Sequence, residues 1–216
     1  MNILFVGNSF TFFFDVPSMV SNLARENGIE ATVHSVTKGG RRMIANLTEG
    51  DEYHEKIKSL LAENTYDALI LQEQSNTPIT SPDIFEEGFF GVAAMVGAKR
   101  NILYSTWGYE DGHAWLSENG MTSREMEAKL RVKYEELAKK MSADISPVGA
   151  LFSSLSGLLP LYDKDKKHQS YTGSAISALT HYTKLFGHFP ASTSSLEISE
   201  ETKKIIKEEI LKTIKL

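Results

Sequence analysis

Short apolar runs alternate with longer amphipathic stretches along most of the chain. Residues 3–6, 68–71 and 102–104 are unbroken hydrophobic segments bounded by polar residues or glycine. This is the pattern of strands buried on both faces of a parallel sheet. Residues 29–36 and 143–148 supply a fourth and a fifth strand. Between them, Val16–Glu26 brings Val16, Met19, Val20 and Leu23 onto one helical face, and Ser123–Met141 does the same with Met126, Leu130, Tyr134, Leu137 and Ala138. Residues 52–62 and 82–95 read as crossover helices on either side of strand 68–71. Segments 172–185 and 200–216 close the chain, the last with Ile205, Ile206, Ile210 and Ile214 as an apolar stripe among Lys and Glu. Strands alternating with helices predict an α/β fold with a parallel sheet of about five strands.

At 216 residues the chain fits one domain, 1–216, with a sizeable core. Its 41% hydrophobic and 24% charged residues exclude a disorder-dominated protein. A formal net charge of -5 gives no overall basic field, which argues against nucleic acid or an anionic membrane as partner. The absence of cysteine excludes disulfides, thiolate metal sites and a cysteine nucleophile. Met1-Asn2 leads directly into the first apolar run with neither a basic segment nor a cleavage site, so the expected location is cytoplasmic.

Three polar blocks carry the candidate chemistry. Gly7-Asn8-Ser9 follows the first strand, where a sharp turn presents a side chain at the crevice. On Gly-Asn-Ser alone, the better reading is that Ser9 or Thr11 caps the following helix. The segment lacks the Gly-Lys-Ser/Thr ending of a phosphate loop, the further glycines of a dinucleotide site, and the Gly-x-Ser-x-Gly elbow of α/β-hydrolases. Asp165 precedes His168 by three residues, a spacing that lets a carboxylate orient an imidazole able to take a proton from Ser9; Asp163 is a second candidate acid. Gly39-Gly40 follows the second strand and exposes backbone N–H groups. Gln72, Glu73 and Gln74 emerge from the third strand as supporting groups, and Asn76 offers an amide to an oxyanion. Trp107 and Tyr109, with Trp115, read as an aromatic wall for a sugar or acyl group, or as core. The remaining histidines show no metal-ligand spacing, and no metal or other cofactor is expected.

Taken together, the blocks resemble the SGNH (GDSL-like) hydrolase superfamily, and a branch of it with the runs Gly7–Thr11, Leu71–Ser75, Thr106–Gly108 and Pro147–Gly149 in particular. The resemblance implies a flavodoxin-like three-layer α/β/α sandwich and a serine esterase, with acylated carbohydrates as one substrate class. It implies Ser9 as nucleophile, His168 and Asp165 as base and acid, and Gly40 with Asn76 as oxyanion donors. Arg42, Gln72 and Trp107 are the expected substrate-binding residues. The chain departs from the pattern at Asn8 (usually aspartate), at Arg42 (near a usual small hydroxyl residue), at Gln169 (often proline) and around Asn76, where glycines are usual; the last leaves Gln74 as a rival oxyanion donor. A small-molecule ester is the expected partner. The alternatives are a non-catalytic carbohydrate-binding or interaction module on the same fold, and a nucleotide or cofactor binder, which the missing phosphate loop argues against.

Overall fold

A computed structural model describes residues 1–214. At its centre lie five parallel strands, β1 (Asn2–Gly7), β2 (Thr32–Thr37), β3 (Ala68–Leu71), β4 (Arg100–Tyr104) and β5 (Asp144–Ser146). Their order is β2-β1-β3-β4-β5. All of β3 and all but the first residue of β1 are buried, which explains why both are unbroken apolar runs. β2 lies at an edge with only Val36 buried, and its sequence is correspondingly mixed.

Ten helices surround the sheet: α1 (Ser9–Phe12), α2 (Val16–Glu26), α3 (Glu52–Glu63), α4 (Thr77–Thr80), α5 (Pro82–Val96), α6 (Ala114–Glu118), α7 (Ser123–Met141), α8 (Val148–Leu155), α9 (Tyr171–Phe186) and α10 (Glu200–Thr213), counted among the described residues. α2 packs on α9 in one layer, and α5 and α7 pack together in the other; α10 rests on α8. Local chemistry fixes the ends. Thr122 and Glu125 form a reciprocal capping box at the start of α7, and Asp15, Asp51 and Ser199 cap α2, α3 and α10.

Two strands are shorter than the apolar pattern predicts. The Ile29 N–H bonds the Ala24 carbonyl, so residues 27–29 belong to the exit of α2, and β2 begins only at Thr32. Pro147 has no N–H to donate to the ladder, so β5 stops at Ser146 and Val148 opens α8, a helix the sequence pattern did not separate from the strand. Of the expected final helix 200–216, residues 215–216 lie outside the described residues. Among the described residues no helix is long and apolar enough to cross a membrane.

The strand order reverses between β1 and β3, since the chain goes from β1 outward to β2 and then returns to the other side. The carboxyl ends of strands at such a switch point border the crevice where doubly wound folds bind ligands. The segments after β1, β2 and β3 hold Ser9, Gly40 and the Gln72–Asn76 block.

Candidate active site

Gly7 ends β1 at a point too crowded for a side chain. A Cβ there would lie 2.4 Å from the Thr11 hydroxyl and 2.8 Å from Gln72 Oε1. The same Gln72 oxygen accepts from the Asn8 N–H at 2.8 Å and from Thr11 Oγ1 at 3.0 Å. Gln72 thus fastens the first turn of α1 to the end of β3. Asn8 caps that turn, accepting from the Phe10 N–H and donating from Nδ2 to the Arg41 carbonyl. Ser9 follows as the first residue of α1, nearly buried at 8% exposure.

The His168 loop reaches Ser9 from the far end of the chain. His168 Nε2 lies 2.8 Å from Ser9 Oγ, and Nδ1 hydrogen-bonds Asp165 Oδ2. The second oxygen of Asp165 accepts the N–H groups of Lys167 and His168 at 3.0 and 2.9 Å. Partial burial works against ionisation of Asp165, but the bonds from the His168 ring and the two N–H groups outweigh it and hold the carboxyl below its ordinary value. Asp163 makes no such contact: its carboxylate accepts the Lys164 N–H, and its own N–H bonds the His168 carbonyl. Lys166, in the left-handed region at φ 60°, lies in the turn between Asp165 and the Lys167 and His168 N–H groups that its carboxylate accepts.

Aromatic packing fixes this loop against α1. The Phe13 ring lies 4.3 Å from the His168 ring and the Phe10 ring 5.5 Å from it, edge to face. Trp107 stacks between Phe10 and Phe152, with ring centroids 4.4 and 4.0 Å away, and its Nε1–H donates to the Lys167 carbonyl at 3.0 Å. Gln169 donates to the Phe10 carbonyl at 3.0 Å, where a proline would have no side-chain donor. Phe13 and Gln169 were not singled out as site residues by the sequence. The Phe12-Phe13-Phe14 run directly after the Ser9 block was the signal for Phe13. Two successive left-handed residues, Phe14 (φ 55°) and Asp15 (φ 53°), turn the chain from α1 into α2 and leave Phe13 facing the histidine. Such backbone costs on the order of 1 kcal/mol or more per residue and is found where the surroundings enforce it.

Four candidate oxyanion donors have no hydrogen-bond partner among the described residues. They are the N–H groups of Ser9 and Gly40 and the side-chain amides of Gln74 and Asn76. Gly40 sits in a left-handed turn (φ 68°) that suits glycine. The oxygen of Gln74 is engaged by Thr77 Oγ1 at 2.7 Å, which leaves its NH₂ available.

Two of the expected substrate-binding residues are placed elsewhere. Trp107 is fully buried and Gln72 is 1% exposed. Stacking on Phe10 and Phe152 takes the indole out of any open wall, and the bonds to Asn8 and Thr11 occupy the Gln72 oxygen. Tyr109 is buried too, its hydroxyl bonded to Ser75. Arg42 is exposed beside the Gly39-Gly40 turn.

The same arrangement of sheet and segments is found in solved structures. The fold is that of the SGNH hydrolases. A candidate SGNH hydrolase from Slackia heliotrinireducens is 29% identical, with a TM-score of 0.76 over 86% of this chain and 98% of that one. A DUF4886 family protein from Bacteroides uniformis superposes with a TM-score of 0.81 at 15% identity, over 99% of this chain and 94% of that one. An acetyl xylan esterase from Geobacillus stearothermophilus gives 0.60 at 16% identity, over 88% and 97%. No protein-family model and no curated protein matches the sequence. In this chain Ser9 directly follows the β1 turn, and the segment Asp165–His168 directly precedes α9.

Proposed function

We propose that the protein is a serine esterase of the SGNH type that works through a Ser9-His168-Asp165 triad and an acyl-enzyme. The observation that carries this reading is the continuous hydrogen-bonded path from Ser9 Oγ through both ring nitrogens of His168 to Asp165. Neutral His168 accepts the Ser9 proton at Nε2 as Oγ attacks the ester carbonyl, and Asp165 stabilises the imidazolium through Nδ1. The carbonyl oxygen becomes an oxyanion. Its donors are the N–H groups of Ser9 and Gly40 with the amide of Asn76 or of Gln74, each without another partner among the described residues. Collapse expels the alcohol, which takes the proton from His168 and leaves the acyl group on Ser9. Water then attacks with His168 as base, releasing the carboxylic acid and restoring the serine.

A small ester is the expected substrate, and among such esters the class we propose is an acetylated carbohydrate, an acetyl xylan esterase being one of the solved structures that share the fold. The test is labelling by a fluorophosphonate probe together with hydrolysis of p-nitrophenyl acetate and of acetylated xylo-oligosaccharides. Labelling and turnover are expected in the wild type and in neither Ser9→Ala nor His168→Ala. A folded wild type that binds the sugar but neither labels nor turns over would establish the binding-module alternative. Faster cleavage of long-chain esters than of acetylated sugars would remove the carbohydrate assignment and leave the esterase.

A further inference from the structure

We propose that Glu73 is a positioning residue for the oxyanion site, a single carboxylate that holds the loop after β2 and the loop after β3 in one fixed relation. The inference rests on the esterase reading above. Glu73 is completely buried, directly after β3. Its Oε1 accepts the Met43 N–H at 3.1 Å and the Gln74 N–H at 2.6 Å, and Oε2 lies 3.3 Å from the same Met43 nitrogen. Met43 opens the 3-10 turn Met43–Leu47, three residues after Gly40. Gln74 is itself a candidate oxyanion donor and stands two residues before Asn76. Every side-chain or loop donor of the proposed oxyanion site is therefore within three residues of a backbone group held by Glu73.

The arrangement suits a carboxylate. Burying an ionisable group is unfavourable unless its oxygens are bonded, and here they meet N–H donors from two separate segments. A glutamine can keep its oxygen as acceptor for both N–H groups, but it then sets its NH₂ where Oε2 lies 3.3 Å from the Met43 nitrogen, donor facing donor. From α5 the surface pressed on this turn is Gly88, where a Cβ would stand 2.6 Å from the Ile44 nitrogen. The charged and titratable groups felt by Glu73 are Arg42, from the loop after β2, and Tyr134, from α7. Burial raises the Glu73 pKa to about 7, opposed by the Gln74 and Met43 N–H groups and by Arg42. Near neutral pH, gain or loss of its proton would weaken or strengthen both loop contacts together.

The test uses the full chain and its Glu73→Gln variant, close to isosteric and so expected to fold, with two independent readouts. In amide NMR spectra of the wild type, the Met43 and Gln74 N–H resonances should shift together with a common midpoint near pH 7, and in Glu73→Gln neither should titrate. In turnover of p-nitrophenyl acetate, Glu73→Gln should lose at least about tenfold in kcat with KM changed less than about twofold, the signature of weakened transition-state stabilisation. Resonances that titrate separately or not at all would overturn the shared contact. Loss of the contact with kcat unchanged would overturn the positioning role. A wild type inert to ester and to fluorophosphonate ends the esterase reading and with it the oxyanion role, while the amide titration still decides the shared contact.

Discussion

Asn8 and Arg41 join the nucleophile turn to the turn after β2. Asn8 Nδ2 donates to the Arg41 carbonyl at 3.1 Å while its Oδ1 accepts the Phe10 N–H at 3.2 Å. Arg41 is itself fixed, its guanidinium bonded to Asp51, Asn46 and the Ala45 carbonyl. An aspartate here would keep the Phe10 bond and lose the donor to Arg41. The departure from the usual Gly-Asp-Ser therefore has a local reason: in this chain residue 8 must donate as well as accept.

Asn8→Asp is expected to lower stability by about 1 kcal/mol, the cost of leaving a part-buried acceptor unpaired beside a carboxylate, and so to lower Tm by a few degrees. Ester turnover should fall with it, because the Gly40 turn loses its tie to Ser9. Thermal unfolding and kcat measured on the same preparation check both.

The two free amides make a decidable pair. Removing an oxyanion donor lowers kcat by about 10²–10³, so either Gln74→Ala or Asn76→Ala should show that loss and the other should stay within a few-fold. Equal small effects in both would mean that the backbone donors of Ser9 and Gly40 act alone.

Trp107 offers a test of the buried aromatic stack. Trp107→Phe keeps a ring between Phe10 and Phe152 but removes the donor to the Lys167 carbonyl, adjacent to His168. The expected result is a kcat lowered about tenfold or less with KM little changed. A large rise in KM would restore Trp107 as a substrate contact.

His181 gives the protein an acid-sensitive core. It lies fully buried on α9 against Tyr104 and Phe5, and neither ring nitrogen has a hydrogen-bond partner among the described residues. Burial pushes its pKa down to about 3. In the unfolded chain the ring takes up a proton below about pH 6.5, whereas in the folded protein it stays neutral, so stability declines as pH falls from 6.5 toward 3. Each unit corresponds to about 1.4 kcal/mol, or about 2 kcal/mol between pH 6.5 and 5. His181→Phe should flatten most of that slope in urea titrations at the two pH values.

The five strands, the six helices of eleven or more residues and the order of the polar blocks are legible along the linear chain, whereas the short helices α1, α4, α6 and α8 are not. Residues 3–6 and 68–71 are legible as strands because both faces of β1 and β3 are buried, so no polar alternation interrupts them. Asp165 and His168 are legible because a three-residue loop contact is local. The apolar pattern of 29–36 runs past the N-terminal end of β2 because Ile29 bonds back to Ala24 of α2, a contact that hydrophobicity does not encode. Only the tertiary structure could bring Ser9 within 2.8 Å of a histidine 159 residues away, since that distance depends on strand order and on the aromatic stack beneath both loops. It also decided that Trp107 and Gln72 face inward, because a large ring or an amide at a strand end is equally suited to a pocket wall and to a support. The choice is made by the neighbours that fill the space: Phe10 and Phe152 in one case, Asn8 and Thr11 in the other.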